Sequence, residues 1–146
     1  MKPIRDALEL LTAQHEELDE LCDRIARTRD AAAFDLLAEK LPHHLAVEQE
    51  LFYPVIGAQL SRGVMDELLT EHIAIKHVLS KLVWLGVEDS EFDELFERLR
   101  MLLVGHSSWQ EDQLFTRAAE SLPPDRLAAL CDEVMAFDNA IAAVAA

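Results

Sequence analysis

The sequence is short of residues that interrupt helices and of residues that build disulfide frameworks. Among its 146 residues are only four glycines, five prolines and two cysteines. Cys22 and Cys131 lie far apart in the chain and form no chelating pattern. A disulfide scaffold and a thiolate zinc site are therefore poorly supported, and we predict two buried free thiols.

Positive charge is also scarce. Lys and Arg number 13 against 28 Asp and Glu, which gives a formal net charge of −15, and acidic residues occur in every segment. Such a surface repels phosphate backbones and anionic lipid headgroups, so we expect no nucleic-acid and no membrane partner. The N-terminus lacks an apolar signal-peptide core, and no uncharged run approaches the roughly 18 to 20 residues that span a bilayer. We therefore expect a cytoplasmic protein.

What the chain has in abundance is helix-forming sequence. Leu, Ala and Glu are strong helix formers, and apolar residues recur at alternating spacings of three and four along four long stretches. This periodicity predicts an all-α fold: an up-down-up-down four-helix bundle over about residues 4–118, with a short fifth C-terminal helix over about 124–144. A single domain over 1–146 follows from the length. Pro42 predicts a kink or a late start in the second helix, and Trp84 is expected in the core.

One histidine interrupts each of the four apolar stripes. These residues are His15, His44, His72 and His106. Residues at equal depth on antiparallel helices have a midpoint in the connecting loop. The midpoints of successive histidines fall at Arg29-Asp30, Ala58 and Asp89, inside the predicted loops. We therefore predict that all four imidazoles lie in one interior layer.

Two carboxylates accompany these histidines. Glu48 follows His44 by four residues and lies only about 40° from it around the helix, whereas Glu111 follows His106 by five, a rotation of about 140°. A lone histidine on an apolar face is more often a core residue, but each unpaired polar group of a buried cluster costs about 1 to 3 kcal/mol, which a bound cation removes. Imidazole and carboxylate without thiolate suit iron or manganese, with zinc as an alternative. Six ligands are more than one tetrahedral zinc needs, which argues for two ions that Glu48 and Glu111 can bridge.

This pattern resembles the hemerythrin-like (HHE) cation-binding domain family over about residues 8–115. The resemblance implies a non-haem di-iron centre, oxo- or hydroxo-bridged, that binds dioxygen, senses oxygen or iron, or reacts with nitric oxide or peroxide. It also implies that the four histidines are terminal ligands and that the two glutamates bridge the irons. The motifs that carry the resemblance are His15, His44-x3-Glu48 with Phe52-Tyr53-Pro54, Glu71-His72, and His106-x4-Glu111 with Leu114-Phe115.

The third helix departs from the pattern of oxygen-carrying family members. These have a second histidine four residues after the third-helix ligand, but here that position is Lys76, and His77 comes one residue later. Unless a π-bulge intervenes, His77 is rotated about 140° from His72, which predicts a rim or surface residue. One iron would then lack a protein ligand, which disfavours reversible oxygen carriage and favours sensing or peroxide and nitric oxide chemistry.

Three further residues are candidates near the centre. His43 is a rim or proton-relay candidate. Tyr53 has two interpretations: its ring packs against a neighbour, or Pro54 bends it toward the metals as a phenolate ligand. Gln110, four residues after His106, is expected at most as an outer hydrogen-bond partner.

Three classes of function remain open at this stage. The first is a di-iron protein that binds small oxidants, with an enzymatic version that turns over peroxide or nitric oxide. The second is a sensor or interaction module without turnover. The third is a structural metal bundle or a zinc protein, in which the metal supplies folding free energy.

Overall fold

The computed structural model describes residues 3–145, so residues 1, 2 and 146 of the predicted domain lie outside the described part. Within that part the chain forms helices joined by short turns, with no β-strand. None of these helices combines the length and the apolar composition that crossing a bilayer would require. The α-helices are α1 Ala7–Thr28, α2 Ala31–Val47, α3 Tyr53–Ile56, α4 Arg62–Leu85, α5 Phe92–Trp109, α6 Phe115–Ser121 and α7 Pro124–Ala145.

Two short π-helical segments interrupt the predicted second and fourth helices. The first π-segment, Glu48–Phe52, joins α2 to α3, and the second π-segment, Gln110–Leu114, joins α5 to α6. A π-turn closes its hydrogen bond over five residues and so widens the helix locally. Helix α2 begins at Ala31 and continues through Pro42, which excludes a late start and leaves the kink as the remaining prediction.

Polar side chains set the helix starts. Asp6 accepts a hydrogen bond from the Glu9 amide at the start of α1. Asp30 accepts from the amides of Ala32 and Ala33 at the start of α2, and Ser61 caps α4 in the same way. Each cap satisfies amides that have no partner inside the helix.

The helices pack as a bundle with two apolar cores on either side of the histidine layer. Helix α1 packs against α2 and α5, α4 packs against α5 and α2, and α7 packs on α1 and the first π-segment. Helices α1, α2, α4 and α5 each pass from one core to the other at a histidine. One core contains Leu11, Val47, Leu68 and Leu114. The other core contains Leu18, Leu41, Ile75 and Leu99. Helix α7 has no histidine, and at 22 residues it is as long as α1, so the prediction of a short fifth helix is wrong.

This arrangement confirms the predicted single layer of histidines. It also confirms an all-helical bundle, while the up-down-up-down order stays a prediction. Both cysteines are buried free thiols, as predicted. Trp84 is not a core residue as predicted, because its side chain is 89% exposed. It follows the buried Leu82 by two residues, which places it about 200° around the helix, on the opposite face.

The Asp30 cap gives a test of this local structure. We expect Asp30→Ala to lower the free energy of unfolding by about 1 kcal/mol, because the amides of Ala32 and Ala33 lose their acceptor. The measurement is urea unfolding followed by circular dichroism. Asp30→Asn keeps a capping oxygen but loses the ion pair with Arg24, so a loss equal to that of the alanine variant would assign the effect to the ion pair instead.

Candidate metal centre

Five of the six predicted metal ligands meet in the buried layer. Their ligand atoms form two groups that share one carboxylate, and within each group these atoms lie within 4.8 Å of one another. None of the five residues is more than 6% exposed. The first group is His15, His44 and Glu48, and the second is Glu48, His72 and His106.

Glu48 is the residue that both groups share. Its Oε1 atom lies 2.6 Å from His44 Nε2 and 3.3 Å from His106 Nε2. Burial acts to raise the pKa of this carboxyl, but the neighbouring imidazoles His44 and His106 outweigh burial and hold the pKa well below its usual range. Glu48 is therefore an ionised carboxylate in a dry interior, which suits a cation on either side of it.

Three of the imidazoles have shifted pKa values, and the shifts differ in direction. Burial is the main cause that lowers the pKa of His15 and His72 to about 4, so both rings are neutral near pH 7 and offer a free lone pair. Burial also acts to lower the pKa of His106, but hydrogen bonds to Glu48 and Glu71 raise it to about 9. A metal that binds His106 must therefore displace a proton.

Outer partners hold two of these rings in orientation. His44 Nδ1 lies 2.7 Å from Gln14 Oε1, and His106 Nδ1 lies 2.8 Å from Glu71 Oε2. In both residues the other nitrogen, Nε2, faces Glu48. Metal-bound histidines are commonly fixed in this way, with one nitrogen toward the metal and the other toward an oxygen acceptor.

The structure does not bring Glu111, the sixth predicted ligand, together with Glu48. Its side chain is 37% exposed at the rim, and its Oε2 atom lies 3.6 Å from His15 Nδ1. Helix α5 stays regular through Trp109, and the second π-segment begins only at Gln110. The residue five positions after His106 is therefore rotated away, as its spacing indicates.

Gln110 takes the inward position instead, as the predicted hydrogen-bond partner of the ligands. It is 0% exposed. Its Nε2 atom donates a hydrogen bond to Glu48 Oε2 and lies 2.7 Å from the Tyr53 hydroxyl, to which it also donates. The signal for this position was present in the sequence, because Gln110 follows His106 by the same four residues that separate Glu48 from His44.

Tyr53 also enters the centre. Its side chain is buried, and its hydroxyl lies 3.1 Å from Glu48 Oε2, to which it donates, and 3.0 Å from His72 Nε2. The first π-segment brings it there, since the Tyr53 amide bonds to the Glu48 carbonyl five residues earlier. Burial, together with the Glu48 charge, raises the pKa of Tyr53, so the phenol keeps its proton while no metal is bound.

The remaining two candidates lie outside both groups. His77 is exposed on α4, as its spacing predicted. His43 is half-buried, and its Nε2 atom pairs with Asp138 of α7 while its ring stacks on Phe137 at a centroid distance of 5.7 Å. His43 therefore attaches the C-terminal helix to α2.

A cavity between α1 and α5 leads from the surface to the centre. Its volume is about 230 Å³, and its inner end is lined by His15, His44 and His106. Cys22 also lines it, but burial raises the pKa of this thiol to about 12, so it stays protonated. The volume of the cavity can hold several water molecules or a small ligand beside the histidine layer.

The buried donors fit metal ions. Both ring nitrogens of His15 and the Nδ1 atom of His72 are buried without a hydrogen-bond partner. Buried polar atoms without partners are costly, and a cation that accepts the single lone pair of each neutral ring removes part of that cost. Four imidazoles and one shared carboxylate are a suitable donor set for iron, manganese or zinc.

The histidine pKa values predict how the stability of the metal-free protein depends on pH. The pKa values of His15 and His72 fall from 6.5 to about 4 on folding. The stability that these two residues contribute is therefore lost as pH falls from 6.5 to 4. The pKa of His106 rises from 6.5 to about 9, so the stability that it contributes is lost as pH rises from 6.5 to 9. We expect maximal stability near pH 6.5, with roughly 1.4 kcal/mol at stake per pKa unit.

Urea midpoints measured across pH 4 to 9 in the presence of a chelator check this expectation. His15→Leu should lose less stability on acidification than the unmodified protein, because one of the two buried neutral imidazoles is gone. A midpoint that stays constant from pH 6.5 to 4 would contradict the expectation.

Comparison with known proteins agrees with the geometry. Residues 6–118 match the family model of the hemerythrin HHE cation-binding domain. Neither the curated proteins nor the solved structures give a match to this chain. The family match covers most of the chain and includes every residue of the two groups, so the predicted family is confirmed. The chain belongs to the hemerythrin HHE cation-binding domain family.

Proposed function

We propose that this protein holds two non-haem iron ions and uses them to bind or react with dioxygen, peroxide or nitric oxide. The observation that carries the proposal is the sharing of Glu48 between two histidine pairs. One ion would lie among His15, His44 and Glu48, and the other among Glu48, His72 and His106. In di-iron helical bundles, inward-facing histidines and carboxylates on facing helices hold the metal pair in the same way.

The bound irons, as an oxo- or hydroxo-bridged pair, would supply the redox chemistry and an open position for a small ligand. The protein supplies the surroundings. Gln14 and Glu71 orient two of the imidazoles, and the apolar cores shield the layer from solvent on two sides. The cavity between α1 and α5 gives a diatomic molecule or peroxide a path to the layer.

Neither Lys76 nor His77 of α4 supplies a second ligand beside His72. Tyr53 is our candidate for that metal-coordination position. Its hydroxyl lies beside both His72 and Glu48. A phenol held there can lose its proton to become a ligand when a metal arrives. Such a ligand in place of a histidine disfavours reversible oxygen carriage and favours sensing or oxidant chemistry.

Glu111 acts from the rim in this proposal. The resemblance implied a second bridging carboxylate at this position, but the Glu111 carboxylate lies beside His15 and apart from Glu48. We propose that Glu111 orients the His15 ring, and a variant at this position tests that role against direct metal ligation.

A second candidate function is an oxygen or iron sensor without turnover. Its support is the packing of α7 on α1 and on the first π-segment, which contains Glu48. A change at the metals could reach α7 through this contact. For either function we propose a small-molecule ligand and a cytoplasmic location, supported by the net charge of −15 and by two buried free thiols.

Metal analysis tests the proposal directly. Aerobically purified protein should contain about two irons per chain and show the absorption of a bridged ferric pair. Glu48→Gln should lose both ions because it removes the shared ligand, whereas Glu111→Gln and the surface control His77→Ala should keep both. Stoichiometric zinc without such absorption would refute the di-iron proposal, and loss of one ion in Glu111→Gln would restore that residue as a ligand.

The Tyr53 assignment has a separate test. Tyr53→Phe should keep the iron content but lose a visible charge-transfer band from phenolate to ferric iron. The measurement is an absorption or resonance Raman spectrum at equal iron loading. An unchanged spectrum would limit Tyr53 to its hydrogen bond with Glu48.

A further inference from the structure

Helices α4 and α5 present large apolar side chains on their outer face. Ile73 and Trp84 of α4 and Met101 of α5 are 67%, 89% and 69% exposed. Trp84 follows Ile73 by eleven residues, which is about three helical turns, so both side chains lie on one side of α4. Exposed apolar side chains that share one face indicate an interaction surface.

A groove between the two helices lies beside Trp84. Its volume is about 650 Å³, and Lys81 of α4 and Arg98 of α5 line it together with Glu91 and Glu94. These two cations balance the two carboxylates, so the groove has no net charge on a chain whose net charge is −15. An acidic surface that approaches this protein therefore meets less repulsion here than elsewhere.

Charge is divided between the two halves of α4. The first half contains Asp66, Glu67 and Glu71, and the second half contains Lys76, His77 and Lys81. Glu71 already holds His106. Within residues 3–145, by contrast, Glu67, Lys81 and Arg98 form no ion pair. These charges are free to pair with another molecule.

The two halves of α4 complement each other when two copies of the helix run antiparallel. Glu67, Ala74 and Lys81 form one row at a spacing of seven residues, so they lie on the same side of α4. A two-fold axis near Ala74, halfway along this row, brings Lys81 of each copy opposite Glu67 of the other. A two-fold interface requires a surface that is its own complement, and this row meets the requirement.

We propose that the outer face of α4 and α5, defined by Ile73, Lys81, Trp84, Arg98 and Met101, binds a second copy of the chain about a two-fold axis. The acidic half of α4 from one copy lies against Lys81 and Arg98 of the other, and Trp84 supplies the main apolar contact at each end. None of these residues lines the cavity between α1 and α5, so the dimer keeps that cavity accessible.

Sedimentation velocity of the full chain as purified tests the apolar part of this interface. The unmodified protein should sediment with the mass of two chains at micromolar concentration. We expect Trp84→Glu to raise the dissociation constant of the dimer at least tenfold, because it replaces a large apolar contact with a charge. Met135→Glu places the same charge at another exposed apolar position, 55% exposed on α7, and should stay within about threefold of the unmodified protein.

A charge exchange tests the antiparallel arrangement. Lys81→Glu should weaken the dimer about threefold or more, because it places a carboxylate opposite Glu67 of the second copy. The double variant Lys81→Glu with Glu67→Lys restores opposite charges across the axis and should recover the affinity. Circular dichroism of each variant checks that the helices are kept. A double variant that stays as weak as Lys81→Glu would overturn the pairing about Ala74.

The other outcomes are equally decisive. A monomer at every concentration tested would overturn the inference and leave the face to a different protein. Equal weakening by Trp84→Glu and Met135→Glu would overturn it as well, because the effect would then come from net charge. A mass that grows beyond two chains would indicate a contact that does not close, which contradicts the two-fold axis. The proposed function is tested separately, by metal content and absorption.

Discussion

The structure depends on one buried carboxylate. Glu48 is enclosed between two apolar cores and keeps its negative charge because imidazoles surround it. Without that compensation, burial would favour the protonated acid, and the layer would lose its capacity to hold cations. Helices α1, α2, α4 and α5 each contribute to the compensation, because each has a histidine in place of an apolar residue at the same depth. The cores fix that depth, so packing and charge are arranged by the same helices.

A dry layer of this kind carries an electrostatic cost that ordinary cores avoid. Neutral His15 and His72 lie beside protonated His106, and several ring nitrogens have no partner. The bundle tolerates the cost because the apolar cores on both sides supply most of the folding free energy. Metal-binding proteins often combine a stable scaffold with a site that is incomplete on its own. Here the incomplete site is confined to the single layer that contains the four histidines and Glu48.

Much of this organisation could be predicted from the sequence. The apolar periodicity predicted the helices, and the loop positions predicted that His15, His44, His72 and His106 lie at one depth. Both inferences use only helical rise and rotation, which vary little. The environment of Tyr53 could not be predicted in the same way, because a π-segment changes the rotation per residue and leaves no clear signal in composition. The prediction that Trp84 lies in the core rested on its aromatic ring, whereas its position two residues after the buried Leu82 turns it to the opposite face of the helix.

The second π-segment, which follows α5, determines which side chain faces the centre. A π-segment is an α-helix with one residue inserted, and every side chain beyond the insertion is turned relative to those before it. Because the insertion follows Gln110, the helix presents Gln110 and leaves Glu111 at the rim. The same insertion one turn earlier would present Glu111 and turn Gln110 away. Gln110 and Glu111 are thus alternatives for one inward position. The location of the residue inserted in the π-segment decides whether an amide or a carboxylate faces the centre.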